Sequence, residues 1–201
     1  MAALDDYLRS LPEGLRSFPG AQVKGNVLDE QLEWAAEVGA PLDPRVEPEL
    51  KRLRPFGRTP EWVPEVVNNA VSLNARLGFD GDRAWLDALY DRQAELYRRP
   101  LYRALLMVLS PTLLLMAASD RWRAYRRGSD LVVDRWQRDG ATRFTTGTLV
   151  HPPGLYSSLM LTGHARTLQA AIDAAGAEDS RVELEDEREP GRARYRLSYR
   201  G

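Results

Sequence analysis

Two histidines, a run of arginines and a set of facing carboxylates are the residues of this chain whose types and spacing suit chemistry. His164 stands among Leu161, Ala165, Leu168 and Ile172 at helical spacing. It therefore borders an apolar stripe, which fits a half-exposed helix-face histidine and equally a group that polarises a ligand or senses pH. Gly163 beside it costs roughly 1 kcal/mol relative to alanine in mid-helix, an argument for close approach by another backbone or by a ligand. His151 precedes Pro152-Pro153 and reads as structural or solvent-facing. Arg121, Arg123, Arg126 and Arg127, interleaved with Trp122 and Tyr125, form a basic aromatic cluster. Arginines at a helix end complement its dipole and cover apolar surface with their stems. The same cluster suits an anionic head group or an acidic partner. From Asp120 to Asp139 six arginines are offset by four aspartates, which is thin for a surface that tracks phosphates.

Glu183, Glu185 and Glu187 alternate along one stretch, and Arg192, Arg194 and Arg196 alternate along the next. That period predicts a cross-strand charge ladder on the wet side of a sheet, each pair contributing about 0.2 to 1 kcal/mol. Acid–base catalysis needs paired carboxylates in environments that split their pKa values, and a solvated strand face does not provide one. Neither GxGxxG nor a GxxxxGK phosphate loop is present, GxSxG is absent, and Asp80-Gly81-Asp82 lacks the remaining oxygen ligands of a calcium loop. There is no cysteine, which removes disulfides, thiolate nucleophiles and cysteine zinc sites. The expectation is a protein that is not an enzyme and carries no metal and no cofactor.

Those residues sit in a chain of 201 residues with 43% hydrophobic and 28% charged content, ordinary values for one folded unit that buries roughly 70% of its extended surface. The net charge of −1 argues against bulk attraction to nucleic acid or anionic lipid. Met1 to Gly20 carries Asp5, Asp6 and Glu13 without an apolar core, unlike a secretory signal. Ala104 to Ala118 is free of charge for 15 residues but holds Ser110-Pro111 at its middle. It falls short of the roughly 20 residues that span a bilayer. A cytoplasmic protein with no membrane and no nucleic-acid partner is the expectation.

The elements that must position the candidate residues follow from turn signals and periodicity. Leu131 to Gln137 turns at Asp139-Gly140 into Arg143 to Val150, and Arg181 to Glu187 turns through Glu189-Pro190-Gly191 into Arg194 to Tyr199. Between the hairpins a helical pattern runs from Leu155 to Ala175 and stops at Gly176. Upstream, Leu28 to Val38, Glu49 to Leu53, Glu61 to Leu77, Arg83 to Arg99 and Pro111 to Arg127 read as helices, and the stretch from Pro12 to Gly25 as a surface loop. The predicted fold class is α+β: a helical layer over 1–127 packed on a four-stranded antiparallel sheet in a ββαββ cassette over 128–201, within a single domain spanning 1–201.

With the pattern assembled, the chain resembles the large myxobacterial paralogous family of uncharacterised proteins of about this size, over roughly Leu28 to Tyr199. The residues that carry the resemblance are Gly39-Ala40-Pro41-Leu42, Ser110-Pro111, the Arg123 to Gly128 helix end, Ala174-Ala175-Gly176-Ala177, Arg181-Val182-Glu183-Leu184 and Arg194 to Tyr199. More distantly it is similar to haem-nitric-oxide-binding and 4-vinyl-reductase-type ligand domains and to the N-terminal effector domains of AraC-type regulators. What the resemblance implies is a sensory or ligand-binding module. Haem-nitric-oxide domains clamp the haem propionates with Tyr-x-Ser-x-Arg, whereas Tyr156-Ser157-Ser158-Leu159-Met160 lacks the arginine, so no haem is expected.

The functional expectation is a sensory or regulatory module that binds an apolar or amphipathic small molecule between helices and sheet. Leu105, Val108, Leu109, Leu113, Leu115 and Met116 would line the site, with Arg123, Tyr156 and His164 as the polar groups that orient the ligand. The alternative is a protein–protein interaction module with a filled core, as a homodimer or with another partner, anchored by aromatic residues such as Trp34, Phe56, Trp62 and Phe79.

Overall fold

The computed structural model describes residues 2–99 and 110–200. Its contacts group into two units: Met1–Trp85 with Tyr125–Ser129 and His151–Met160, and Leu86–Ala124 with Asp130–Val150 and Leu161–Gly201. These boundaries do not follow a division at residue 127. The α+β class holds, but the strands number more than the sequence suggested and form two antiparallel sheets.

In the first unit, helix α1 (Ala2–Ser10) is followed by β1 (Gln22–Lys24), α2 (Gly25–Glu37), α3 (Glu47–Leu53), β2 (Trp62–Pro64), α4 (Glu65–Ala75) and, much later in the chain, β3 (Arg126–Arg127). The strands form a small sheet in the order β2-β1-β3. The stretch ending at Gly25 is therefore not all loop. Three residues are too few to display alternation, and β1 exists because it finds partners on both edges. Glu61 to Leu77 is likewise not one helix: Pro64 forces Val63 out of helical angles, so Trp62–Pro64 is extended and α4 starts only at Glu65. Every residue of α4 is buried, so its polar side chains need partners. Asn74 accepts from the Asp43 amide at 3.0 Å and donates to the Pro41 carbonyl at 3.0 Å. Asn69 donates to the Leu155 carbonyl at 2.9 Å, which also accepts from the Tyr7 hydroxyl at 2.9 Å. Trp34 packs against Phe79 and Trp85 with centroids 5.6 and 6.4 Å away. Gly25 lies so close to the Pro60 carbonyl that a Cβ would sit 2.0 Å from its oxygen.

In the second unit, α5 (Gly81–Arg98) contributes from Leu86 onward, followed by α6 (Pro111–Met116) and α7 (Ala118–Tyr125), which contributes up to Ala124. The strands are β4 (Asp130–Val133), β5 (Gln137–Asp139), β6 (Thr142–Val150), β7 (Glu178–Asp186) and β8 (Arg192–Arg200), and α8 (Ser158–Ala174) precedes β7. The sheet order is β4-β6-β8-β7, with β5 also paired to β6. It has five strands rather than four because the pairing with β6 breaks after Val133, opposite Gly147, and resumes at Gln137, opposite Phe144, with the register slipped by one residue; the Thr145 hydroxyl donates to the Asp134 carbonyl at 2.8 Å within that break. The turns at Gly140 and Gly191 and the helix stop at Gly176 all have positive φ, as their glycines predict. Leu131, Leu149, Val182, Tyr195, Leu197 and Tyr199 are buried, and α8 lies over them, with the Tyr195 hydroxyl donating to the Leu161 carbonyl at 3.2 Å. The charge ladder forms with an offset: Arg194 pairs with Glu185 at 3.3 Å, while a register shift sets Asp186 opposite Arg194.

The helix expected from Pro111 to Arg127 is interrupted at Ala117, and Arg126–Arg127 leaves it to pair with β1. Among the described residues no helix is long and apolar enough to cross a membrane.

Candidate functional site

Glu65 is the first residue of α4, directly after the proline that ends β2, and its amide donates to the Ala21 carbonyl at 3.0 Å. A carboxylate at a helix start normally faces water and complements the dipole. Here it has no exposed surface. Strand β3 lies on the far edge of β1, where Val23 is opposite Arg126, and this brings the guanidinium inward. Arg126 Nε donates to Glu65 Oε1 at 2.8 Å, and the side chain keeps only 18% of its surface exposed. From the segment after β6, the Tyr156 hydroxyl donates to the same Oε1 at 2.6 Å. Ser129 Oγ lies 3.4 Å from that hydroxyl, and the His151 ring meets the Tyr156 ring edge to face at 5.0 Å.

The electrostatics of the cluster follow from its burial. Loss of water pushes the Glu65 carboxyl above the usual carboxylate range, opposed by the charge of Arg126 and the hydrogen bonds it receives. Burial lowers the affinity of Arg126 for its proton, but Glu65 and Tyr156 outweigh it and hold the guanidinium above its ordinary value. Burial and the neighbouring carboxylate push Tyr156 well above the phenol range, so its hydroxyl remains a donor. His151 is pushed below the usual imidazole range by burial, although its bond to the Pro152 carbonyl acts the other way. That bond, 2.9 Å from Nδ1, also fixes the tautomer: a carbonyl only accepts, so Nδ1 carries the proton and Nε2 presents a lone pair. Glu65 Oε2, His151 Nε2 and Asn68 Oδ1 are buried acceptors with no donor among the described residues. The arrangement gathers side chains from three segments of the chain around one buried carboxylate and orients them there.

The residues expected from sequence distribute unevenly. Tyr156 is in the cluster just described. Leu105, Val108 and Leu109 lie outside the described residues. Met116, Arg123 and His164 belong to the second unit. Met116 is 66% exposed. Arg123 is exposed and bonds both oxygens of Asp130 at 2.9 Å. His164 is half-buried and edge-on to Trp122, 5.4 Å between centroids. His151 is buried, which removes the solvent-facing option. Glu65, Asn68 and Ser129 were not singled out by sequence, and Arg126 was read only as one of a helix-end group. The available signal was polar residues, Glu65, Asn68 and Asn69, set within the otherwise apolar run Val63 to Val71. Among the described residues no three His, Asp or Glu side chains group as a metal site.

No protein-family model matches the chain, and no curated protein matches it. Among solved structures it is similar to a point mutant of the T. Tengcongensis H-NOX, with 10% identity, a TM-score of 0.46, and 88% of this chain and 96% of that chain covered. It is similar also to a Cs H-NOX mutant bearing 4-cyano-L-phenylalanine, with 9% identity, a TM-score of 0.45, and 88% and 95% covered. It is similar also to a structure that probes the function of heme distortion in the H-NOX family, with 9% identity, a TM-score of 0.45, and 88% and 94% covered.

Proposed function

We propose that this chain is a non-enzymatic sensory or regulatory module that takes up an apolar or amphipathic small molecule, with the Glu65 cluster engaging the ligand's polar end. One observation carries the reading. A single, fully buried carboxylate oxygen holds side chains from two separate segments, Arg126 and Tyr156. Residues 125–129 run directly into β4 and residues 151–157 run directly out of β6. An occupant that competes for Glu65 changes the hold on both segments at once, which is the kind of two-state element that a sensor requires. A non-enzymatic role fits a cluster whose phenol stays protonated and whose guanidinium stays charged.

Native mass spectrometry of the purified protein, paired with thermal melting against a small-molecule panel, tests the reading. A bound species, or melting that rises with ligand concentration and fails to do so in Tyr156→Phe, supports it. No bound species and no shift across the panel count against it.

A second reading has its own observation. Phe56 is fully exposed at 102% and has φ +60°, a left-handed conformation that costs a non-glycine residue about 1–2 kcal/mol. An exposed aromatic held in this way suits an anchor in a partner's pocket. Loss of a co-purifying partner on Phe56→Ser, with unchanged folding, would favour the interaction module.

A further inference from the structure

We infer that the Glu65 cluster is a binding site for a small neutral molecule presenting hydrogen-bond donors, a hydroxyl or a primary amide, received by Glu65 Oε2, Asn68 Oδ1 and His151 Nε2. The inference rests on the proposed ligand-binding reading and names the ligand's chemistry.

The three side chains are 0%, 5% and 9% exposed, and each ends in an acceptor atom that no donor among the described residues reaches. Arg126 Nε and the Tyr156 hydroxyl both point to the other oxygen of Glu65, and the one proton of His151 goes to the Pro152 carbonyl. Asn68 follows Glu65 by three residues in α4, so the two side chains share a face of the helix. His151 flanks the Tyr156 ring, whose hydroxyl is the neighbour of Glu65. Buried acceptors left without donors are costly, and a ligand that supplies donors removes that cost.

Charge selects among donors. Glu65 and Arg126 compensate each other within hydrogen-bond distance, so a neutral guest leaves the pair intact. A carboxylate guest would place its lone pairs against those of Glu65, Asn68 and His151. An ammonium guest would have to shed its water to reach a carboxylate whose charge is already balanced, and that desolvation is poorly repaid.

Four molecules with one ring and different heads test this: benzyl alcohol, benzamide, benzoate and benzylamine, titrated into the full chain and followed by heteronuclear NMR of the histidine and tyrosine side chains. The expected result is saturable shifts at His151 and Tyr156 with benzyl alcohol and benzamide, and binding of benzoate and benzylamine weaker by about tenfold or more. Asn68→Leu and His151→Phe, neither of which removes a member of the ion pair, should each weaken benzyl alcohol by about tenfold while the spectrum stays dispersed. If one variant does not fold, the other and the head-group order decide. Tighter binding of benzoate or benzylamine at the same resonances would overturn the neutral-donor inference and leave the proposed function standing. If none of the four moves these resonances, both fall, and the cluster is a closed structural clamp accompanied by water alone.

Discussion

Arg126→Met isolates the energetic core of the account, because methionine keeps much of the arginine stem's packing while removing the charge that balances Glu65. Glu65 is wholly buried and Arg126 nearly so, and removing one partner of such a pair costs about 3 to 5 kcal/mol. The variant has one escape, which is to protonate Glu65. Burial already pushes this carboxyl up with Arg126 in place, and without it the shift grows. A carboxyl whose folded pKa lies above its unfolded value binds more protons in the folded state. Its stabilising effect is complete below the unfolded pKa, near 4.3, and is lost as pH rises through the folded pKa. The deficit of the variant relative to the parent should therefore be largest at about pH 8 and narrow toward about pH 5.5, at up to about 1.4 kcal/mol per pH unit. Urea unfolding followed by far-UV circular dichroism at several pH values gives this difference directly, and contributions from other titrating groups cancel between the two proteins. A deficit below about 1 kcal/mol, or one that does not change with pH, would refute the reasoning.

Tyr156→Phe removes one hydrogen bond to a charged acceptor and should cost about 1.5 to 3 kcal/mol, lowering Tm by roughly 4 to 10 °C in a thermal melt. For His151, whose folded pKa is depressed, the unfolded state binds more protons, so stability should fall as pH drops below about 6.5 toward the folded value. His151→Gln should remove that part of the slope in the same denaturant titration. Gly25→Ala must displace the Pro60 carbonyl and should prevent native packing of the first unit, whereas Gly39→Ala, with open space but φ +66°, should cost only about 1 kcal/mol; melting curves of the two variants check the contrast.

Much of the second unit was legible because its signals are local. Asp139-Gly140 and Pro190-Gly191 mark turns by backbone chemistry, and Gly176 marks a helix end. The break in the first strand was not legible, since it is a one-residue slip of register against β6 between Val133 and Gln137. In the first unit, the helix expected from Glu61 begins only at Glu65, because Pro64 imposes an extended conformation on Val63. Strands β1 and β3 have almost no local signature; each exists because a distant strand pairs with it. The candidate site was hidden for the same reason. Glu65 falls inside the helix expected from Glu61 to Leu77 with nothing local to mark it, and the partners that hold it lie far away in the chain: Arg126, 61 positions on, and Tyr156, 91 positions on. Tyr156 was picked out from the sequence as a polar group that orients a ligand, yet nothing near it in the chain names the carboxylate that it meets.

On the proposed function, Glu65 holds residues 125–129 and 151–157 together as one responsive element. Amide hydrogen exchange on the parent and on Glu65→Gln measures it most directly, with the β7–β8 ladder as an internal reference. Loss of the charged acceptor weakens both bonds, so exchange in the two segments should accelerate together, by about tenfold or more, while β7 and β8 exchange as before. Acceleration in one segment without the other, or a uniform change across the chain, would contradict the claim.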